Sequence, residues 1–87
     1  MADCQLITSL QIRSARAALR WTFEDLARVT GLGLRTLKNL EVNDGIPACR
    51  ASTLITVQQA LEMAGIEFIG TPDDGPGIRL RRQKHEL

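Results

Sequence analysis

The sequence predicts a mainly α domain in which four helices are followed by a C-terminal β-hairpin. Two threonine-based helix starts lie near the N-terminus, apolar residues then recur at intervals of three and four, and the period shortens to two after Gly65. The chain has 87 residues, 44% of them hydrophobic, which is enough for one small core. These observations indicate a single domain for which pairing with a second copy would be favourable.

The first predicted helix begins after Thr8. The Thr8 hydroxyl can accept the amide hydrogen of Gln11 while the Gln11 side chain returns to the Thr8 amide, which forms a capping box. Ile7 and Ile12 flank this box as a hydrophobic staple, and the helix is expected to end near Arg20. Its buried face is formed by Ile12, Ala15 and Leu19.

A second capping box lies at Thr22 and Asp25, so Thr22 is the predicted N-cap of the second helix. Trp21 and Leu26 occupy the positions of a hydrophobic staple around it. The helix is expected to end at Gly31, because glycine adopts the positive φ of a tight turn without a Cβ penalty.

The third helix is predicted from near Gly33 to about Val42. Its buried residues are expected to be Leu37 and Leu40, which are three positions apart. They would pack on three apolar residues of the second helix and the turn, namely Leu26, Ala27 and Leu32.

A loop is predicted after Val42, where Asn43, Asp44, Gly45 and Pro47 disfavour regular helix. The fourth helix then begins near Ser52 and ends at Gly65. The apolar residues at helical spacing within it are Leu54, Val57, Leu61 and Ala64.

Residues 66–82 predict a β-hairpin, because apolar and polar residues alternate on both sides of the turn-forming segment TPDDGPG. Ile78 and Leu80 are expected to face the helices, and Arg79 and Arg81 to face solvent. Such a hairpin either packs on its own domain or pairs its free edge with a second copy.

The stretch TFEDLARVTGLGLRTLKNLEV, residues 22–42, resembles the helix-turn-helix of the lambda-repressor and Cro type, also called XRE-like. The matching positions are Leu26, Ala27, Gly31, Leu32, Leu37 and Leu40. With its flanking helices the resemblance covers residues 8–65 and implies a four-helix lambda-repressor-like DNA-binding domain. On this division, residues 1–7 are a flexible lead-in, residues 66–82 a hairpin extension and candidate dimerisation element, and residues 83–87 a tail.

The resemblance also implies an ion pair. In that family an arginine at the place of Arg16 pairs with a glutamate near the end of the recognition helix, which here is Glu41. We expect this pair to be largely buried and to specify how the helices dock more than it adds stability. At two other positions the chain departs from the family pattern, since Phe23 stands where a glutamine is common and Gly33 replaces a polar N-cap.

If the third helix enters a major groove, its N-terminal end and outward face reach the bases. The expected base-reading residues are Leu34, Arg35, Lys38 and Asn39. Arg35 can donate twice to guanine, Asn39 can pair with adenine, and Leu34 can contact a thymine methyl group. The expected phosphate-binding positions are Thr22, Phe23, Thr36, Asn43 and Arg50, the first two at the amide end of the second helix.

Composition disfavours other classes of protein. No nucleophile is paired with a base, no two carboxylates share a predicted cleft, and no Gly-rich phosphate loop is present, so enzymatic activity and a cofactor are not expected. Cys4 and Cys49 form no CxxC motif and have no nearby histidine, which predicts two reduced thiols and no metal. No secretion signal and no apolar run of about 20 residues is found, so a cytoplasmic protein without a membrane segment is expected.

The expected function is that of a sequence-specific transcriptional regulator that binds double-stranded DNA as a homodimer on a palindromic operator. RNA polymerase or a regulatory protein is a further expected partner. The net charge is only +1, but the basic residues are concentrated in the first three helices and near the C-terminus. The alternative is a protein-interaction module on the same fold, an antitoxin or an adaptor, which the apolar Leu34 and Phe23 favour.

Overall fold

Local capping signals set the starts of the first two helices. The computed structural model describes residues 7–42 and 45–81, and within them it contains four helices and one two-stranded antiparallel sheet. The elements are α1 (Ser9–Leu19), α2 (Phe23–Thr30), α3 (Leu34–Leu40), α4 (Ala51–Met63), β1 (Ile66–Thr71) and β2 (Asp74–Leu80). Roughly half of the chain is helical, as the predicted mainly α class requires.

Both predicted capping boxes are present. Thr8 and Gln11 exchange the two hydrogen bonds of the box at the start of α1, and Thr22 and Asp25 do the same at the start of α2. Helix α2 ends at Gly31 with φ 78°, as predicted. Helix α3 ends at Leu40, two residues before the predicted end at Val42.

Helix α1 ends at Arg20, which takes the left-handed conformation with φ 60° although it is not glycine. This conformation costs an L-residue roughly 1–2 kcal/mol. Glycine avoids this cost, but the larger conformational entropy of its unfolded state offsets part of the gain in stability. We therefore expect Arg20→Gly to raise the melting temperature by a few degrees, about 4 °C for each kcal/mol recovered. Ala18→Gly, in the exposed face of the same helix, is the matched control and should lower it. Thermal unfolding of the two variants by circular dichroism tests the sign of both changes.

One core unites the helices and the sheet. Its buried residues are Ile7, Ile12, Ala15, Leu26, Leu37, Leu40, Leu54, Val57, Leu61 and Ile66. Ile7 is only 1% exposed and therefore belongs to the core, which corrects its assignment to a flexible lead-in. Residues 1–6, Asn43, Asp44, the last residue of the predicted hairpin (82) and the predicted tail (83–87) lie outside the described residues.

The hairpin lies within the predicted residues 66–82, but its strands are longer and its turn is shorter than predicted. Its strands extend through most of the TPDDGPG segment and pair Ile66 with Leu80, Phe68 with Ile78 and Thr71 with Asp74. The ladder is interrupted between Ile69 and Thr71, where Gly70 has φ 76° and a Cβ would collide with the carbonyl of Gly75.

The two faces of the hairpin differ in polarity. Phe68 and Ile78 pack against the core. Leu80 is 48% exposed although its cross-strand partner Ile66 is buried, which corrects the expectation that Leu80 faces the helices: at this last pair of the ladder only Ile66 reaches the core. On the outer face, Glu67 accepts from Arg79 (3.4 Å) and Arg81 (3.1 Å), so both arginines face solvent as predicted.

Candidate nucleic-acid interface

The turn between α2 and α3 is held by hydrogen bonds of its own residues. The amide of Gly31 donates to the carbonyl of Ala27 at 2.8 Å. The Thr30 hydroxyl donates to the carbonyl of Leu26 at 2.8 Å and accepts from the amide of Leu32 at 3.2 Å. Thr30 had no role in the sequence analysis, although a threonine beside a C-terminal glycine is a local signal for such a bond.

Helix α3 presents a buried face and an exposed face. Leu37 and Leu40 are buried in the core. The residues predicted to read bases are all on the exposed face: Leu34, Arg35, Lys38 and Asn39. Thr36 is exposed as well, and Leu34 has 39% of its surface accessible. Within the part of the chain that the structure describes, the side chains of Arg35, Lys38 and Asn39 make no hydrogen bond or ion pair, so their donors are available to a ligand.

The C-terminal end of α3 is clamped to α1. Arg16 donates from Nε to Glu41 Oε2 at 2.8 Å and from Nη2 to Glu41 Oε1 at 3.0 Å, which is the predicted ion pair. The side chains are 22% and 5% exposed, so the pair is largely buried as expected. The hydrogen bond with Glu41 is the main cause that raises the pKa of Arg16 above its ordinary value, so the guanidinium stays charged.

Three further contacts around this pair were not predicted. Arg16 Nη1 donates to the carbonyl of Trp21 at 2.9 Å, and the Arg16 guanidinium carbon lies 4.2 Å from the centre of the Phe23 ring. Arg13 Nη1 donates to the main-chain carbonyl of Glu41 at 2.8 Å. Arg16 thus contacts the segment that leads into α2, the first residue of α2 and the C-cap of α3. Trp21 and Phe23 are close to each other in the sequence, but Glu41 lies 25 residues from Arg16, so no local pattern reveals that Arg16 joins the start of α2 to the end of α3.

The start of α2 differs electrostatically from what phosphate binding needs. The Thr22 amide donates to Asp25 Oδ2 at 2.9 Å and the Thr22 hydroxyl accepts from the Asp25 amide at 3.1 Å, which leaves only the hydroxyl hydrogen for a ligand. The Thr22 amide lowers the pKa of Asp25 below its usual range. Glu24 and Asp25 place two carboxylates in this first turn. Their negative charges offset the positive potential of the helix N-terminus, which would otherwise attract a phosphate.

Phe23 and Arg50, two other predicted phosphate positions, differ in what they offer. The Phe23 ring has no donor and lies against Arg16 and the core, so only its amide could meet a phosphate. Arg50 is exposed at the N-cap of α4 and its side chain makes no capping bond. Asn43 lies outside the described residues.

An apolar cleft lies between α2 and α4, on a surface for which the sequence predicted no binding role. It has a volume of about 250 Å³ and is lined by Trp21, Val29, Ala60, Met63 and Ala64. Met63 is 84% exposed and Val29 is 51% exposed. The composition of α4 is the feature of the sequence that could have indicated this cleft. Glu62 is the one charged residue among the 13 of this helix, whereas a helix face that is fully solvated usually has several.

Metal sites and membrane spans were looked for among the described residues. Within residues 7–42 and 45–81, no three His, Cys, Asp or Glu side chains are grouped as a metal site. Among the described helices, none has the length and apolar character needed to cross a membrane. A scan of the chain against models of known protein families finds no match, and a search of curated proteins finds no similar protein.

Proposed function

We propose that this chain is a sequence-specific double-stranded DNA-binding transcriptional regulator built on a lambda-repressor-like helix-turn-helix. The observation that carries the proposal is the outer face of α3, where Arg35, Lys38 and Asn39 are exposed with unused donors beside the exposed Leu34. Arginine and asparagine have the donor geometry for guanine and adenine in the major groove, and an exposed leucine suits the thymine methyl group. Because α3 contains no acidic residue, its outer face would not repel phosphates.

Backbone anchoring falls to the basic residues that remain free. Lys38 and Arg50 are exposed cations, and Thr36 can donate from its hydroxyl. The two carboxylates at the start of α2 weaken the contribution of Thr22 and Phe23 that the sequence predicts. The regulator therefore holds the duplex chiefly through α3 and the N-terminal end of α4, and it would act in the cytoplasm.

The size of the reading element supports action as a homodimer. A helix of seven residues is about 10 Å long and covers only a few base pairs, so two copies on a palindromic operator would supply the discrimination that one lacks. Surfaces that suit pairing among the described residues include the hairpin edge near Leu80 and the α2–α4 cleft at Met63. RNA polymerase or a regulatory protein is a further proposed partner.

Removal of the hairpin would not identify the dimer surface, because Ile66 belongs to the core. Leu80→Lys and Met63→Lys change one exposed apolar residue each and leave the core intact. Sedimentation velocity of the two variants shows which change shifts the protein toward monomer. A monomeric wild-type protein that stays monomeric on DNA would contradict the homodimer.

The base-reading assignment predicts different effects for two arginines. After the preferred operator is selected from random duplexes, Arg35→Ala should lose about 1–3 kcal/mol of discrimination at one base pair. Arg50→Ala should weaken binding to all operator variants alike and reduce the slope of log affinity against log salt by about 1 for each protomer. Fluorescence anisotropy on single-base operator variants measures both effects. Equal losses from both variants on every sequence would refute the assignment.

The alternative is a protein-interaction module on the same fold, such as an antitoxin or an adaptor. The α2–α4 cleft favours this alternative. Its lining is apolar and includes the highly exposed Met63, so it is suited to bind an apolar side chain of another protein. Titration of random duplex DNA at several salt concentrations separates the two functions. Affinity that falls steeply with salt supports the regulator, whereas the absence of any salt-dependent binding supports the interaction module.

A further inference from the structure

We propose that Phe23 is a positioning residue for the reading helix: its ring holds the Arg16 guanidinium in the plane from which it binds Glu41, and so sets the direction in which α3 projects. Phe23 is the first residue of α2, and its ring centre lies 4.2 Å from the guanidinium carbon of Arg16. The inference rests on the proposed function where it concerns DNA, and on the geometry of the clamp where it concerns the protein alone.

The Arg16 guanidinium is held in two ways that complement each other. Its N–H groups lie in the plane of the group and donate to both Glu41 carboxylate oxygens and to the Trp21 carbonyl. These bonds do not use the faces of the plane, which carry no donor and are weakly hydrated. The Phe23 ring covers one face by a cation–π contact, which attracts the cation and keeps water away from it.

The contacts of Arg16 and Arg13 with Glu41, here called the clamp, hold the C-terminal end of α3. Glu41, the C-cap of α3, binds Arg16 through its carboxylate and Arg13 through its carbonyl. At the other end, Gly33 supplies no side-chain cap. Leu37 and Leu40 hold α3 on the core, and the position in which Arg16 holds Glu41 sets the direction of its C-terminal end. The Phe23 ring fixes the plane of Arg16 together with the hydrogen bonds that lie in that plane. A change at Phe23 should thus alter base discrimination without removing a base contact.

Phe23→Leu tests the inference, because leucine retains an apolar side chain against the core and lacks the aromatic face. Without DNA, we expect exchange of the Arg16 Nε–H with water to become about fivefold faster by NMR, as for loss of one partly shielded cation–π contact. The amide signals of α3 should shift with it. Phe23→Tyr should keep the wild-type behaviour, and Leu32→Val, a conservative change at a partly buried residue in the turn, is the control for a general loss of packing.

On DNA, we expect Phe23→Leu to reduce the affinity ratio between the preferred operator and its single-base variants by about three- to tenfold. Affinity for random duplex is measured beside it, and a fall of the same size on random duplex would show a lost phosphate contact and overturn the inference. Wild-type exchange and α3 signals in Phe23→Leu, or equal changes in Leu32→Val, would overturn the inference. If Phe23→Leu does not fold, the wild-type protein decides: a slowly exchanging Arg16 Nε–H with a ring-current shift supports the inference, and its absence overturns it. A wild-type protein that binds no DNA refutes the proposed function, while the exchange measurements still test the clamp.

Discussion

Glu41→Ala is expected to lower the free energy of unfolding by about 3 kcal/mol, because it leaves the Arg16 cation largely buried without its carboxylate. The main-chain bond from Arg13 to the Glu41 carbonyl is unaffected, so the loss reports on the side-chain pair. For a domain of this length, such a loss lowers the melting temperature by more than about 10 °C. It is also a large part of the roughly 4–13 kcal/mol that 87 residues provide. Urea unfolding followed by circular dichroism measures it.

Glu67→Ala is a matched control. Glu67 also binds two arginines, Arg79 and Arg81, but all three side chains are well exposed. Exposed ion pairs contribute little, so this variant should change the free energy of unfolding by less than about 1 kcal/mol. Similar losses from the two variants would show that burial of the Arg16 pair has no energetic consequence. The double variant Arg16→Met with Glu41→Leu should be more stable than Glu41→Ala, because it removes both charges together.

Gln11→Leu is expected to cost about 2–4 kcal/mol, because it removes a buried amide that connects α1 to the hairpin. Gln11 Nε2 donates to the carbonyls of Ile69 (3.1 Å) and Gly77 (2.9 Å), and its Oε1 accepts from the Thr8 amide at 2.8 Å. Leucine fills a similar volume and leaves these three main-chain groups without their partner. Hydrogen exchange of the hairpin amides should accelerate along with the loss of global stability.

Two companion variants separate the parts of this effect. Gln11→Glu keeps an acceptor for the Thr8 amide and loses both donors to the hairpin, so it should be nearly as costly as Gln11→Leu at neutral pH. Gln58→Leu removes an exposed amide that donates to Glu62, and should be close to neutral. A Gln11→Glu variant with wild-type stability and hairpin exchange would show that the two donated bonds do not hold the hairpin.

The helix starts and the turn were predictable because their signals are local. A capping box at Thr22 needs only Asp25, three residues away, and the positive φ at Gly31 needs only the absence of a Cβ. The outward direction of Arg35 follows from the buried position of Leu37 on the same short helix. The Arg16–Glu41 pair was predicted only through the family resemblance, since its members are 25 residues apart.

The extent of the hairpin and its attachment were not predictable in the same way. Strand ends depend on which residue lies opposite. Leu80 has the place of a core residue in the alternation and pairs with the buried Ile66, yet its own side chain is exposed. The α2–α4 cleft arises from residues of two helices that are far apart in the chain. Such features are determined by packing between segments that are distant in the chain, and this packing cannot be predicted from a pattern along the sequence.

The sequence by itself determined where the first two helices start, where α2 turns and which face of α3 is apolar, because each depends on residues within one or two helical turns. Only the tertiary structure decided that the Gln11 side chain, besides capping α1, donates to carbonyls 58 and 66 residues away. It likewise decided that Arg16 joins α1 to the start of α2 and to the end of α3. The physical reason is that a side chain satisfies its buried donors with whatever acceptors the folded chain brings within about 3 Å, and distance along the sequence does not limit that choice.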